Sequence, residues 1–386
     1  MEIFTFYCPT RIYFGENTAA SACDLVREAG GKKTLIVTDA NLIKAGVLKK
    51  VLRGFESSEN QPVIFDDVPP DSDVGCVKKA VAVARAAGCD SIVAVGGGSV
   101  LDTAKVVNIC LSYGGDMLEY QGLNNLPTPL LPLLAIPTTA GTGSEVSLVA
   151  MIKDSAEGKK LLFGSSHLAP NVAVLDPELI RTLPPGLTAA TGLDALTHDL
   201  ESYVALSSTS PMSDALCVES ARLLFQHLPR ATSNGEDMEA RSATLAASTM
   251  AGVAFTNTGV GIVHALAHTV GAHFGTHHGM TNAVFLPHGM EFNLPQSAHR
   301  YASLARSLGI SQNGDDTAAA SDLIKAVRNL ISVCGLPHRL RDLGVPETSD
   351  NKLNELAFEV ETDPAIMFNP REASAVDIID IYKRAY

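Results

Sequence analysis

The first part of the chain alternates short, continuous apolar runs with stretches of helical periodicity. Residues 34–38, 91–95 and 133–136 are runs of β-branched and aliphatic side chains, the pattern of strands buried on both faces. Residues 75–88 and 100–110 instead repeat apolar positions every three to four residues, which predicts helices. Strands that alternate with helices are typical of a parallel sheet covered by helices on both faces. We therefore predict an α/β N-terminal domain with a parallel sheet.

The pattern changes at the segment Leu183-Pro184-Pro185-Gly186. Helical periodicity then dominates, with few strand signals, at residues 214–228, 239–251, 263–272 and 322–334. We predict two domains, an α/β domain over residues 1–183 and an all-α domain over residues 184–386.

The composition argues against several classes of partner. The 386 residues include 29 Lys and Arg against 42 Asp and Glu, a formal charge of −13, and no Trp. Contacts with nucleic acid or with an anionic membrane surface rely on basic residues, so we expect neither partner. No apolar run reaches the roughly 18 residues that span a bilayer, and the first residues lack a signal-peptide pattern.

Cysteine usage favours a reducing compartment. The seven cysteines are scattered, without a Cys-x-x-Cys pair. Cys23, Cys89, Cys110 and Cys217 lie in apolar patterns and are expected to be buried free thiols. Because disulfides are rare in the cytoplasm, we predict a cytoplasmic protein.

A glycine loop, Gly96-Gly97-Gly98-Ser99, joins a predicted strand to a predicted helix. Glycines allow close backbone approach, and a helix N-terminus favours an anion, so the loop is either a phosphate cradle or a tight β–α turn. Asp39 ends the strand at 34–38 and is either a helix cap, which the sequence alone favours, or a partner of a ribose hydroxyl. The hydroxyl-rich segment 137–145 follows a third strand and predicts either nucleotide contact or a surface turn.

The histidines are clustered. Five of eleven fall between His264 and His278, and Asp194 and His198 are four residues apart in a helical context, as are His264 and His268. Residues at this spacing share one helix face. A mixed carboxylate and imidazole set suits Fe²⁺, Zn²⁺, Co²⁺ or Mn²⁺, and we predict a metal site.

Four other residues near these motifs are not expected to be metal ligands. Asp199 and Glu201 flank the first pair, and we expect them to point elsewhere on the helix into solvent. His273 and His277 are interpreted as incidental or pocket-lining.

These motifs, in this order, resemble the iron-containing (group III) alcohol dehydrogenases over most of the chain. The segments that carry the resemblance are residues 8–15, 96–105, 137–145, 192–198 and 264–268, with His278-Gly279. The resemblance implies a dehydroquinate synthase-like architecture, in which an α/β dinucleotide-binding domain precedes an all-α metal-binding domain.

The resemblance also implies roles for individual residues. The implied metal ligands are Asp194, His198, His264 and His278. The implied cofactor-binding residues, of which Asp39 at the ribose would favour NAD over NADP, are Asp39, Gly97, Gly98, Ser99, Asp102, Thr138, Thr139, Thr142 and Lys160. Asp102 and Lys160 would lie on the nicotinamide side and take part in catalysis. His268 would stand beside the metal and contact substrate, and Phe255 and Val149 would be pocket walls.

The implied activity is hydride transfer between NAD(H) and a small alcohol or aldehyde, in a homodimer or larger homo-oligomer. Four protein ligands would close a tetrahedral zinc site, whereas Fe²⁺ accepts five or six ligands, so we expect Fe²⁺ with Zn²⁺ as a possible occupant. Small primary alcohols, diols and ω-hydroxy acids all remain candidate substrates.

Three alternatives stay open on the sequence. A lyase or cyclase of the dehydroquinate-synthase type would use NAD only transiently. A glycerol-dehydrogenase-like enzyme would prefer a polyol. A degenerate relative would bind metal or nucleotide without turnover.

Overall fold

The computed structural model describes residues 3–155, 159–206 and 208–386. The chain forms two compact units, one over Cys8–Leu183 and one that joins Pro184–Tyr386 to the N-terminal segment ending at Tyr7. The backbone N–H of Tyr7 donates to Asn257 Oδ1 at 2.7 Å, and Asn257 Nδ2 donates back to the Tyr7 carbonyl at 3.0 Å. This pair of hydrogen bonds holds the N-terminal segment on the helical unit.

The α/β unit contains two sheets among its described residues. The strands are β1 (Arg11–Phe14), β2 (Thr34–Val37), β3 (Val63–Phe65), β4 (Ser91–Gly96), β5 (Gly122–Leu123), β6 (Leu133–Pro137), β7 (Val149–Asp154), β8 (Lys159–Gly164) and β9 (Val172–Leu175). Six of them form a parallel sheet in the order β1-β9-β6-β4-β2-β3, and β5-β8-β7 form a second, smaller sheet. The predicted parallel sheet is confirmed.

Helices cover both faces of the parallel sheet. They are α1 (Ala22–Glu28), α2 (Ala40–Lys44), α3 (Leu48–Leu52), α4 (Val74–Ala87) and α5 (Gly98–Tyr113). The register aligns Ile36, Val93 and Leu134 in one row, which packs on the face covered by α1 and α3. The alternate row, with Leu35 and Ile92, packs on the face covered by α4 and α5. Burial of both rows explains why the strands are apolar throughout.

The order of the strands reverses between β2 and β4. From β2 the chain moves to β3 on one side, and from β4 it moves to β6 on the other. In open parallel sheets, ligands bind beyond the carboxyl ends of the strands at such a reversal. The loops after β2, β4 and β6 therefore lie at the carboxyl ends of the strands, where a nucleotide is expected.

The second unit is helical, as predicted. Its helices are α6 (Pro185–Val204), α7 (Pro211–Ser233), α8 (Met238–Thr258), α9 (Ile262–Phe274), α10 (His278–Ser307), α11 (Asp316–Val333), α12 (Asp350–Thr362) and α13 (Ala375–Ala385). Helix α6 is buried from residue 188 to residue 204 and packs against α7, α8 and α10. Because α6 is buried on every side, its polar side chains lie in the interior. Such side chains need hydrogen-bond or ionic partners within the protein.

The cysteines and the apolar helices add two observations. All seven cysteines are free, and Cys23, Cys110 and Cys217 are buried, whereas Cys89 is only partly buried. No single helix of the described residues has the length and hydropathy to cross a bilayer. Helices α8 and α9 reach that threshold only when taken together, across a bend of 103°.

Candidate functional site

Helix α6 carries a buried stripe of ionisable residues. Asp194, His198 and Glu201 are spaced by four and then three residues, so their side chains share one face of the helix. All three are at least 94% buried. The Phe255 ring stacks on the His198 ring, with centroids 4.4 Å apart, as an apolar wall beside the stripe.

The two neighbouring helices add a histidine each. His264 lies in the first turn of α9, and His278 is the first residue of α10. Donor atoms of Asp194, His198 and His264 lie within 4.8 Å of one another. The Oδ1 atom of Asp194 is 3.7 Å from His264 Nε2 and 3.5 Å from His278 Nε2. The structure thus brings together the four residues predicted as metal ligands.

The chemistry of this donor set fits a divalent metal ion. Ligand distances of about 2.1 Å place donor atoms roughly 3 to 3.5 Å apart, close to the separations from Asp194 Oδ1. The Asn282 Nδ2 atom donates to Asp194 Oδ1 at 2.7 Å and lies 3.2 Å from His278 Nε2 and 3.4 Å from His264 Nε2. Asp194 Oδ1, His264 Nε2 and His278 Nε2 therefore surround one amide nitrogen. A carboxylate with three imidazoles suits Fe²⁺ or Zn²⁺.

The electrostatics of the cluster favour a charged Asp194. Burial alone raises the pKa of a carboxyl group, but His198, His278 and His264 outweigh burial and hold the pKa of Asp194 well below its ordinary value. Burial lowers the pKa of His264, and the carboxylates of Glu201 and Asp194 overcome it and raise that pKa to about 9. The buried carboxylates of Asp194 and Glu201 therefore favour a positive charge in this cluster, either a proton on His264 or a metal ion.

The expectation that Asp199 and Glu201 are solvated is wrong. Both are buried. Asp199 Oδ2 accepts a hydrogen bond from the Ser220 hydroxyl at 2.6 Å, on a different side of α6. Glu201 lies seven residues after Asp194, almost two full turns, so it points the same way as the predicted ligands. The spacing was readable from the sequence, but the interior position of α6 was not.

His268 lies one turn after His264 and has its own carboxylate partner. Its Nδ1 atom is 2.9 Å from Asp363 Oδ2, and its ring stacks on the ring of His278 with centroids 5.4 Å apart. Burial opposes ionisation of Asp363, but His268 outweighs it and lowers the pKa of that carboxyl. Sequence reasoning missed Asp363, which lies 95 residues from its partner.

His273 belongs to a different cluster. Its Nε2 atom contacts Glu359 at 2.8 Å, and its Nδ1 atom contacts the Lys352 ammonium at 2.9 Å. Glu355 also pairs with Lys352. The Lys352 ammonium therefore already occupies a position beside this partly exposed acidic group. His277, just before α10, is exposed.

The glycine loop between β4 and α5 brings its backbone close to the threonine side chains of the loop after β6. Helix α5 begins at Gly98, and no side chain of the described residues caps it. A Cβ atom at Gly98 would lie 2.9 Å from Thr142 Cγ2, and one at Gly97 would lie 3.2 Å from Thr139 Cγ2. The hydroxyl-rich loop after β6 therefore packs directly on the glycine loop. Uncapped N–H groups beside threonine hydroxyls form a cradle that suits a pyrophosphate.

Two other predicted cofactor residues, Asp39 and Thr138, follow the carboxyl ends of β2 and β6. Asp39 caps α2, where its Oδ1 accepts from the N–H groups of Asn41 at 2.8 Å and Leu42 at 3.0 Å. The buried Thr138 donates its N–H to the Gly96 carbonyl at 3.0 Å. Within the chain, Asp39 therefore acts as the N-terminal cap of α2, which is the first of its two interpretations.

Asp71, which sequence reasoning missed, connects Ser99 with Lys160. Its N–H donates to Ser99 Oγ at 3.0 Å, and its Oδ1 pairs with Lys160 Nζ at 3.0 Å. Asp71 has a φ of +56°, a conformation that is uncommon for a residue with a side chain. The structure thus brings Lys160 to the glycine loop through Asp71.

Asp102 belongs to a buried polar network. Its carboxylate accepts from the Ser144 hydroxyl at 2.6 Å and from the Met151 N–H at 2.9 Å. Burial raises the pKa of Asp102. One turn later, the buried Lys105 ammonium donates to Ser147 and Val149. Lys105 was also missed, although an isolated lysine in an apolar helix is a readable signal.

Comparison with known families covers almost the whole chain. A family model described as iron-containing alcohol dehydrogenase matches residues 9–177. A second, described as Fe-containing alcohol dehydrogenase family, C-terminal, matches residues 188–386.

Individual proteins match over their full length. The chain is 39% identical over 381 residues to the NAD-dependent methanol dehydrogenase of Bacillus methanolicus, covering 98% of this chain and 99% of that protein. It is 36% identical to the 1,3-propanediol dehydrogenase of Citrobacter freundii, covering 100% of this chain and 99% of that protein. A solved structure of 1,3-propanediol oxidoreductase matches with a TM-score of 0.96 at 35% identity, covering 100% of both chains.

Proposed function

Because the chain belongs to the iron-containing alcohol dehydrogenase family, we propose that it interconverts short primary alcohols or diols with their aldehydes. The enzyme is an alcohol dehydrogenase and aldehyde reductase that uses NAD(H) and a metal, iron by the family's description. The observation that carries the proposal is the buried cluster of Asp194, His198 and His264, with His278 Nε2 3.5 Å from Asp194 Oδ1. Full-length relatives named for methanol and 1,3-propanediol support a small substrate.

We propose that the helical unit binds the substrate oxygen at the metal site formed by its Asp and His side chains. A bound divalent metal would supply a Lewis acid that lowers the pKa of the substrate hydroxyl, and the nicotinamide would accept the hydride. Asp194 supplies the negative charge that retains a cation. His268 Nδ1 faces Asp363, so His268 Nε2 is the atom proposed to take the hydroxyl proton. The Phe255 ring packs against the His198 ring on one side of the site.

The α/β unit is proposed to hold NAD at the reversal of the sheet. Backbone N–H groups of Gly98 and Ser99 would donate to the pyrophosphate, and Thr138, Thr139 and Thr142 would contact the cofactor. Asp102 and Lys160 are proposed for the nicotinamide side. Internal hydrogen bonds hold the Asp102 carboxylate, and Lys160 pairs with Asp71 at 3.0 Å.

The test is NADH formation by Fe²⁺-loaded protein across short alcohols, diols, glycerol and ω-hydroxy acids. We expect turnover with short primary alcohols or diols. A preference for glycerol would support the glycerol-dehydrogenase-like alternative instead. Absence of both alcohol oxidation and aldehyde reduction, with metal and NAD bound, would overturn the proposal. It would favour an enzyme that uses NAD transiently or a non-catalytic relative.

Replacement of Asp39 by glycine is expected to raise the use of NADP relative to NAD about tenfold. A carboxylate beside the ribose repels a 2′-phosphate, and removing that repulsion is worth at least about 1.4 kcal/mol. Both capping bonds use Oδ1, which leaves Oδ2 for a ribose hydroxyl. The measurement is the ratio of kcat/KM values for the two cofactors.

The variant Asp39→Asn is the matched control, because its amide oxygen keeps the cap of α2 and removes only the charge. It should raise NADP use as glycine does. An unchanged ratio in both variants would remove Asp39 from the ribose site.

We also propose that the protein is a homodimer or larger homo-oligomer. Strand β1 is at the edge of the parallel sheet, and all four of its residues are exposed. Ile12, Tyr13 and Phe14 are 43%, 41% and 46% exposed. An open edge with large apolar side chains is a template for pairing, and a second copy would cover it. Light scattering at assay concentration measures the assembly.

A reducing, cytoplasmic location is proposed on the state of the cysteines. All seven are free thiols, and five of them are buried. Free thiols persist where glutathione keeps proteins reduced.

A further inference from the structure

We propose that Glu201 is a positioning residue of the metal centre, which holds the Nδ1 side of His264 so that Nε2 faces the other ligands. This inference rests on the proposed ligand set and adds to it a carboxylate outside that set. The sequence predicts a solvated side chain at this position, whereas the structure buries it.

Both oxygens of the Glu201 carboxylate are in use. Oε2 lies 2.5 Å from His264 Nδ1, and Oε1 accepts the backbone N–H of Val263 at 2.6 Å. Glu201 is 5% exposed and His264 is 3% exposed, so water competes little for either contact. One carboxylate therefore holds the imidazole and the adjacent backbone together.

These contacts determine which ring nitrogen of His264 carries the proton. A carboxylate accepts, so Nδ1 is the donor, and in neutral imidazole Nε2 then offers its lone pair. The surroundings of Nε2 agree, because the Asn282 Nδ2 donor lies 3.4 Å away. Asp194 Oδ1 lies 3.7 Å from the same nitrogen, on the far side of the ring from Glu201.

The same carboxylate fixes the start of α9. Val263 is the second residue of that helix, and its N–H is one of those that a helix leaves without an intrahelical partner. The preceding N–H, from Ile262, donates to Asn369 Oδ1 at 3.1 Å. Negative charge at a helix N-terminus is also favourable. Glu201 thus limits both rotation of the His264 ring and movement of the backbone that carries it.

A second histidine of α9 has a related arrangement. Asp363 Oδ2 lies 2.9 Å from His268 Nδ1, which again leaves Nε2 directed away from the carboxylate. Carboxylates that hold the far nitrogen of a metal-bound histidine orient the ring and make the ligand more basic. Their removal generally costs about 10- to 100-fold in metal affinity or activity.

The variant Glu201→Gln tests the proposal. Glutamine keeps the size of the side chain, but its single carbonyl oxygen accepts from only one of the two N–H groups. We expect Co²⁺ to bind about 10- to 100-fold more weakly, measured by competition with a chelator. The visible absorption of bound Co²⁺ should also change, because it reports the ligand geometry directly. NAD affinity should match that of the unmodified enzyme.

Asp199→Asn is the matched control. Asp199 is an equally buried carboxylate on α6, but it pairs with Ser220 away from the ligands. This variant should leave the Co²⁺ affinity and spectrum unchanged, whatever its effect on the Tm. If Glu201→Gln lowers the Tm but keeps the Co²⁺ affinity and spectrum, Glu201 is only structural and the proposal is overturned.

A second measurement uses the unmodified protein and does not require the Glu201→Gln variant to fold. In metal-free protein with ¹⁵N-labelled histidines, at a pH high enough for the ring to be neutral, the His264 signals, assigned by their loss in His264→Gln, should show the single proton on Nδ1. A proton on Nε2 alone would overturn the role of Glu201 while leaving the proposed activity intact. Failure of the unmodified enzyme to bind Co²⁺ at all would overturn the proposed metal centre and Glu201 together.

Discussion

Replacement of His264 by alanine is expected to abolish metal retention and to lower kcat at least about 1,000-fold, while NAD still binds. The imidazole contributes the Nε2 atom 3.7 Å from Asp194 Oδ1 and is almost fully buried. Loss of Lewis-acid assistance worth several kcal/mol corresponds to a factor of this size. Metal content by mass spectrometry, NADH formation and NAD affinity measure the three effects separately.

The matched control for this prediction is His273→Ala on the same helix. His273 contacts Glu359 and Lys352 rather than the predicted ligands, so its replacement should leave metal content and kcat close to those of the unmodified enzyme. Full turnover by the His264→Ala protein would show that the ligand assignment is wrong.

Replacement of Lys105 by methionine is expected to lower the free energy of unfolding by about 3 to 5 kcal/mol. The buried ammonium donates to the Ser147 carbonyl and hydroxyl, each at 2.9 Å, and to the Val149 carbonyl at 2.8 Å. Burial lowers the pKa of Lys105 to about 8, against the opposing effect of Asp102 and Glu145. Methionine has a similar length but leaves these carboxylates and carbonyl oxygens without their cation.

Urea unfolding, followed by circular dichroism, measures this loss. Lys79→Met is the control, because Lys79 pairs with Asp67 at the surface, where both side chains are about two-thirds exposed. Exposed pairs contribute at most about 1 kcal/mol. An unfolding midpoint for Lys105→Met equal to that of Lys79→Met would show that the buried network does not depend on its ammonium.

The main elements of the fold were predictable because local patterns determine them. Strands β2, β4 and β6 are continuous apolar runs, since helices cover both faces of their sheet. The predicted helices 214–228, 239–251 and 263–272 lie within α7, α8 and α9, and the predicted helix 322–334 overlaps α11 up to Val333. Predicted helix ends were less accurate, because burial against other helices extends a helix beyond its strongest periodicity.

The candidate site was predictable only where its residues share a motif. Asp194 with His198 form a pair at helical spacing, whereas Glu201 contacts His264 across 63 residues of sequence. Asp71 and Asp363 likewise reach predicted residues from distant positions, and Asn282 reaches Asp194 across 88 residues of sequence. No local pattern encodes such pairs, because they depend on how the helices and loops pack.

The stripe of Asp194, His198 and Glu201 on α6 makes the site sensitive to insertions inside one short segment. Each inserted residue turns the following part of a helix by about 100°, so a single insertion between 194 and 201 would direct Glu201 away from His264. An insertion in the connection between α6 and α7 would leave the stripe unchanged. Attempts to graft this centre onto another protein should therefore transfer the stretch 194–201 as one rigid piece.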